Sequence, residues 1–358
     1  MPGIKNSTTS LTLLSGLLLA PESSLVEASA RRLTPGDMQD VWDLATAHHV
    51  IMRTFPRLQP YLSAAGLSAA AEWAEQEVEK ERRRITNALM YLEPICHALS
   101  AAGKVVVMKS LDHWPDLGSD LDLFAAASGA DVVAIMKTGF EARLAERSWG
   151  DRLAHKWNFI IPGLPELVEV HVGRLGQTGE QLAVAESLVA RARTVVIDGH
   201  EFRVPAPEER LMVSTLQRMY RHFYLRLCDV IDNAGLVSRG ELDYGYLRTL
   251  ASSAGLWDGV ATYLGVISDY VRLYQGESLE LPSMVTSSAK FGGDQVYFRR
   301  NFIRIPLLPH ASSLYVSEMA KLLLNGEIRN LLRLSLLPGL ATAAAVEMKL
   351  TGSDKGIW

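Results

Sequence analysis

From residue 10 to about 95 the apolar positions recur at three- and four-residue spacing, the period of a helix with one buried face. In "TPGDMQDVWDLATAHHV", Met38, Val41, Leu44 and Ala45 fall on one such face after a Thr-Pro-Gly start. The stretch "AEWAEQEVEKERRRITNALMYLEPICHAL" predicts one long helix, with Glu79, Glu81, Arg82 and Arg84 on a solvated face laced by helical ion pairs. Acids alternate with bases there, which argues against a nucleic-acid surface.

Near residue 103 the period shortens. "GKVVVMK" and "SDLDLFAA" predict strands, and "GADVVAIMKTGFEARLAE" a helix with a Gly break. "KWNFIIPG" and "LVEVHVG" predict two more strands joined by a Pro-Gly-Leu-Pro turn. "RTVVIDGHEFRVP" predicts a hairpin turning at Asp198-Gly199. From Pro207 onward helical patterns return, over "PEERLMVSTLQRMYRHFYLRLCDVIDNAGLV", "DYGYLRTLASSAG" and beyond. The exception is "GGDQVYFRRNFIRIPLL", which reads as loop or extended chain. The predicted organisation is α+β: an N-terminal helical segment over 1–95, a small α/β unit over 96–206 and a C-terminal helical domain over 207–358.

Composition narrows the class. Apolar residues make up 48% and charged residues 21%, as expected of a packed core. A net charge of -4 gives no general electrostatic reason to bind nucleic acid or an anionic membrane. Cys96 and Cys228, far apart and in apolar contexts, form neither a zinc spacing nor a disulfide framework, which fits a reducing cytoplasm. "LTLLSGLLLA" follows a single Lys5 and runs on into helix, so a helix is expected there rather than a signal peptide. No stretch reaches the roughly 18 apolar residues of a membrane span. The nearest, "LLRLSLLPGLATAAAVEMKL", carries Arg333, Pro338 and Glu347 and reads as a buried or peripheral helix.

The candidate chemistry lies in the short-period region. Side chains at i and i+2 of a strand share a face, so Asp120 and Asp122 point one way and Leu121 and Leu123 the other. Two carboxylates cannot be buried bare and repel one another. A divalent cation between them, or an opening to water, resolves the conflict. "LVEVHV" repeats the design: Val168, Val170 and Val172 face one way, Glu169 and His171 the other. Beside the first strand, Glu169 would add a third oxygen ligand, a set suited to magnesium or manganese. Lys109-Ser110 ends the valine strand, where backbone amides, a hydroxyl and an ammonium could meet phosphate. For His171 the residues leave open a structural, hydrogen-bonded role and one orienting Glu169 or touching substrate. Arg226 and Asp229, three apart on a helix, suit an ion pair; alternatively Arg226 reaches phosphate. Arg299, Arg300 and Arg304 follow a Gly-Gly loop and suit either solvent or an acidic acceptor. His48, His49 and His155 lack the spacing of a zinc site. Neither a Walker motif nor GxGxxG occurs.

A strand ending in a small-residue turn, then Asp-x-Asp about ten residues on, then a later acidic strand resembles the DNA polymerase β-type nucleotidyltransferase superfamily. Within it, the chain is similar to the bacterial uncharacterised nucleotidyltransferase family. That family carries a Leu-Lys-Gly turn, an Asp-Ile-Asp strand and a Glu-Leu-His strand, matched here by Met108-Lys109-Ser110, Asp120-Leu121-Asp122 and Glu169-Val170-His171. "VWDLATAHHV", "VPAPEERLMVSTLQ" and "YLRLCDVIDNAGLV" extend the likeness over about residues 10 to 240.

The resemblance implies a mixed sheet of five or fewer strands and an enzyme moving an NMP group from an NTP, ATP included, to an acceptor hydroxyl or phosphate with release of pyrophosphate. It implies Mg2+ or Mn2+ on Asp120, Asp122 and Glu169, with His171 behind them. It places the nucleotide on Lys109, Ser110, Ser119 and Arg226. The acceptor class stays open among small molecule, saccharide and peptide. One departure motivates an alternative. The superfamily turn carries glycine where Ser110 stands, and serine lacks glycine's freedom at positive φ. The alternative is a non-catalytic scaffold of the same fold that holds a nucleotide or a partner protein.

Overall fold

The structure, a computed structural model, describes residues 4–346 apart from 35, 341, 344 and 345. The end of the expected C-terminal segment, including Glu347, lies outside the described residues. Helices α1 (Thr9–Leu19), α2 (Ser24–Ala30), α3 (Asp37–Ala47), α4 (Ile51–Ala64) and α5 (Ser68–Leu99) come first. In α3 the buried residues are Met38, Val41, Leu44 and Ala45, the face expected from the periodicity. Helix α1 is a core element: Leu11, Leu13, Leu14 and Leu17 are fully buried, each worth about 1.5–3 kcal/mol of apolar transfer.

The next region alternates: β1 (Val105–Val107), β2 (Asp120–Ala125), α6 (Gly129–Phe140), β3 (Arg143–Leu144), α7 (Trp149–Leu153), β4 (Lys156–Ile160), β5 (Leu167–Val172), α8 (Leu182–Arg191), β6 (Arg193–Ile197) and β7 (His200–Val204). Five strands form a mixed sheet in the order β1-β2-β5-β4-β3, within which β2 and β5 run parallel. The expected helix over 129–146 ends early. Glu141 takes a left-handed conformation as its cap, and Arg143–Leu144 turns back to pair with β4. The β6–β7 hairpin turns at Asp198 and Gly199, both at positive φ as a tight hairpin requires.

The C-terminal part comprises α9 (Pro207–Thr215), a wide π turn over Leu216–His222, β8 (Tyr224–Leu225), α10 (Leu227–Ser238), α11 (Tyr244–Ser253), α12 (Trp257–Gln275), α13 (Ser283–Thr286), β9 (Tyr297–Arg299), β10 (Phe302–Arg304), α14 (Ser312–Leu324) and α15 (Ile328–Ser335). The expected unbroken helix from 207 is interrupted. Phe223, at φ 53, breaks it, and β8 joins β10 and β9 in a three-stranded antiparallel sheet. Among the described residues no helix is long and apolar enough to cross a membrane.

Two cores result. Leu121, Leu123, Val168 and Val170 pack with Leu89, Leu92 and Val132 from α5 and α6. The other core joins the N-terminal helices to the C-terminal part, from Leu11 in α1 to Leu264 in α12, and takes in Phe124 from the opposite sheet face. That polar-bearing face of the sheet is therefore enclosed by the helical body, which creates the cleft described next.

Candidate functional site

Strands β2 and β5 are neighbours, and their register sets Asp122 beside Glu169 and Phe124 beside His171. Alternation puts Asp120, Asp122, Glu169 and His171 on one face, while Leu121, Leu123, Val168 and Val170 are fully buried on the other. Ligand atoms of Asp122, Glu169 and His171 lie within 4.8 Å of one another. His171 Nε2 is 2.9 Å from Glu169 Oε1 and 4.0 Å from Asp122 Oδ1. The structure thus brings together Asp122, Glu169 and His171, whereas Asp120 falls in no such group among the described residues. Asp120 stands two residues earlier on the same face, and its carboxylate takes no hydrogen bond or ion pair among the described residues while lining the cleft.

Two lysines answer these charges. Lys109 Nζ lies 2.5 Å from Asp122 Oδ1 and 3.9 Å from Glu169 Oε1. Lys156, in register with His171 on β4, places Nζ 2.8 Å from Glu169 Oε2 and 3.1 Å from Asp151 Oδ1. Burial pushes the Asp122 carboxyl up to about 7 against the pull of Lys109, with Glu169 adding to the rise. Asp120 is raised by burial and by Glu169. Glu169 goes the other way: burial opposes its charge, but the hydrogen bond from His171 and the charges of Lys156 and Lys109 hold it well below the usual carboxylate range. Burial lowers His171 to about 4, so its neutral ring donates Nε2–H to Glu169 and leaves Nδ1 buried without a partner.

The turn before β2 is built differently from the expectation. The left-handed residue is Lys109, at φ 55, and the Ser110 amide donates to the Met108 carbonyl across it. Ser110 Oγ donates to the Asp120 carbonyl at 3.1 Å and accepts from the Asp122 amide at 2.8 Å. The amide closes the turn on Met108 and the hydroxyl pins the turn onto the aspartate strand, so Ser110 positions Lys109 and the carboxylates and has both groups already committed. Glycine's freedom is not required at 110, because the positive φ falls one residue earlier. Ser119, just before the strand, is exposed and lines the cleft.

The opposite wall is cationic. A cavity of about 240 Å3 holds the acids with their partners Lys109 and Lys156 and is lined across from them by Arg218, Arg221 and Arg226, and by His222, which burial keeps neutral. Several come from the π turn, a distortion that re-aims side chains and is frequent at functional sites. The expected Arg226–Asp229 ion pair does not form. Asp229 Oδ2 instead takes Arg218 Nε at 2.7 Å, both side chains being almost fully buried, and the Arg226 amide at 2.8 Å. The Arg226 side chain is released to lie over Tyr224 and Phe302.

A buried network anchors the loop between β1 and β2. Arg53 joins Asp116 at 2.7 Å and Asp232 at 2.6 Å, and Asp232 takes His113 Nδ1 at 2.5 Å. His113 Nε2 lies 3.7 Å from Cys228 Sγ, in a second group with Asp229 whose members are buried and already paired. Arg84, expected on a solvated face, pairs with Glu81 but also with the buried Glu166, and donates to the carbonyls of Leu117 and Gly118. Beyond Gly118 and Ser119 a second hollow of about 370 Å3 adjoins, with Trp42, Thr46 and Arg84 in its wall.

Lys156, Arg218, Arg221 and His222 were not singled out by sequence. The alternation of Lys156 with Asn158 in "KWNFI" carried a usable signal for the first. The others sat inside an apparently regular helix. No protein-family model matches the chain, and neither does any curated protein or solved structure.

Proposed function

We propose that the protein is a nucleotidyltransferase that moves an NMP group from an NTP to an acceptor hydroxyl or phosphate and releases pyrophosphate. The observation that carries this reading is the pairing of β2 with β5, which sets Asp122 beside Glu169 with an unpartnered Asp120 on the same face. Hard carboxylate oxygens with one unengaged member fit a divalent ion of the magnesium or manganese class. When bound by Asp120, Asp122 and Glu169, such an ion would neutralise charge on the reacting phosphate and activate the acceptor oxygen.

The chain's own residues have separable tasks. His171 orients Glu169. Ser110 fixes the spacing between the turn and the aspartates. Lys109 and Lys156 compensate the acids and stand ready to meet phosphate oxygens, as do Arg218, Arg221 and Arg226 across the cleft. Ser119 and Arg226 line the same cleft. Catalysis would rest on positioning and charge compensation.

A second reading keeps the fold and drops the chemistry. It is favoured by the lysines, which already neutralise Asp122 and Glu169 within the protein. Calorimetry with each NTP, with and without Mg2+, together with pyrophosphate release, separates the two. Metal-dependent binding and release support the enzyme; metal-independent binding without release supports a nucleotide-holding scaffold.

A further inference from the structure

The three arginines after the Gly-Gly loop are not used by the site described so far. In the three-stranded sheet, β10 sets Arg304 opposite Tyr297 on one side and Tyr224 on the other, and Phe302 opposite Arg299. Tyr224, Tyr297, Arg299, Phe302 and Arg304 therefore share one face, while Leu225, Phe298 and Ile303 are buried on the other. Tyr224 and Phe302 stack with centroids 4.2 Å apart. Two guanidinium groups lie over both rings: Arg304 at 5.1 and 5.3 Å, Arg226 at 5.8 and 5.9 Å. Rings that hold an arginine by its face leave its edge open to an anion; Arg304 spends Nε on the Arg299 carbonyl at 3.3 Å and offers its two Nη groups.

No carboxylate compensates these cations. Among the described residues Arg221, Arg226, Arg299, Arg300 and Arg304 have no acidic partner, and the nearby Asp229 belongs to Arg218. Arg218 is itself almost fully buried, lines the cleft and keeps Nη1 without a hydrogen bond; Nε of Arg221 and of Arg226 are likewise buried and unpartnered. The hairpin tip adds a cation against conformational preference. Arg300 and Asn301 both sit at positive φ, where asparagine or glycine is at ease and arginine is strained. The hairpin is also held firmly, by His48 Nε2 on the Asn301 carbonyl at 2.9 Å and by the Phe298 amide on the Lys5 carbonyl at 2.9 Å. Tyr224 and Arg226 belong to this face and to the wall of the cleft alike.

Resting on the nucleotidyltransferase reading, we infer that this arginine-aromatic face docks the acceptor, and that the acceptor presents a phosphate monoester to it. The charge of the two flanks decides which substrate goes where. In the hollow beyond Ser119, Arg84 is neutralised by Glu81 and Glu166, and Asp116 by Arg53. That flank suits an uncharged nucleoside and offers nothing to a second phosphate. The hairpin flank offers uncompensated guanidinium groups, which suit a phosphate dianion by charge and by planar two-point geometry.

The test uses the full chain with Mg2+ and saturating α,β-methylene-ATP, into which glycerol 3-phosphate is titrated by calorimetry. Arg304→Gln is expected to weaken glycerol 3-phosphate about tenfold, the loss of one charge-assisted contact, while the affinity for the nucleotide analogue stays within about twofold. Arg300→Asn, which relieves the tip, is expected to weaken it in the same direction with an unchanged or higher thermal midpoint, so that misfolding is not the cause. The inference is overturned if neither variant changes glycerol 3-phosphate binding, or if both weaken the analogue instead, which would assign the face to the triphosphate. It is also overturned if neither glycerol 3-phosphate nor inorganic phosphate binds the wild type. Failure of the underlying reading shows separately, as metal-dependent analogue binding that Asp122→Asn leaves unaltered.

Discussion

Lys109 Nζ sits 2.5 Å from Asp122 Oδ1, and both side chains are less than one-sixth exposed. A buried carboxylate held this way depends on its ammonium or on a replacement cation, because removing one partner of a buried pair leaves an uncompensated charge. Lys109→Gln is expected to lower unfolding stability by about 3 kcal/mol in chelator. Added Mg2+ should restore part of that loss by supplying the missing charge. Urea unfolding with and without Mg2+ checks both halves.

Ser110 and Asp122 provide a second test, because the hydroxyl bridges the two backbone groups that flank Leu121. Ser110→Ala is expected to cost about 1–3 kcal/mol by leaving a buried amide and carbonyl short of a partner. Chemical denaturation measures this directly. A phosphate-binding hydroxyl would behave differently: stability unchanged and NTP affinity reduced. That pattern would contradict the positioning role.

His48 should make folding sensitive to acid. Its Nδ1 accepts from the Leu227 amide at 2.8 Å while Nε2–H donates to Asn301, a pairing that needs the neutral ring. Burial lowers its pKa to about 4 from an ordinary 6.5. A histidine depressed in the fold contributes stability that is full above about 6.5 and is lost as pH falls through that value toward 4. The slope should approach about 1.4 kcal/mol per pH unit in that window. Comparing wild type with His48→Gln across pH 4 to 7 isolates it, since the other titrating groups are common to both; identical slopes would refute the assignment.

Asp229 bonds Arg218 and caps α10 through the Arg226 amide. Asp229→Ala should cost about 3–5 kcal/mol, because a fully buried guanidinium loses its counter-charge. Thermal unfolding reads the loss.

Much of this was legible in the chain. Strand alternation at Asp120, Asp122, Glu169 and His171 needs only the two-residue period, and the adjacency of the two strands follows the design of both. The buried face of α3 and the Asp198-Gly199 turn were equally readable, because their signals are local. What stayed hidden depended on tertiary pairing. Nothing in "QRMYRHF" announces a π turn, so Arg218, Arg221 and His222 passed as helix positions. Arg226 and Asp229 have helical ion-pair spacing, yet a more deeply buried arginine claims the acid. Arg84 looked solvated because Glu166 and the 117–118 carbonyls are distant in sequence. At Arg143–Leu144 the local residues favour helix, and edge pairing with β4 overrides that preference.

The proposed transfer requires Asp120, Asp122 and Glu169 to hold a divalent cation together with an NTP. Electron paramagnetic resonance titration of Mn2+ with α,β-methylene-ATP tests it most directly, in the wild type and in Asp122→Asn. Protein-bound Mn2+ is expected in the wild type, with at least about a tenfold loss of affinity when one charged ligand is removed. Equal Mn2+ binding by the two proteins, or none by the wild type, would contradict it.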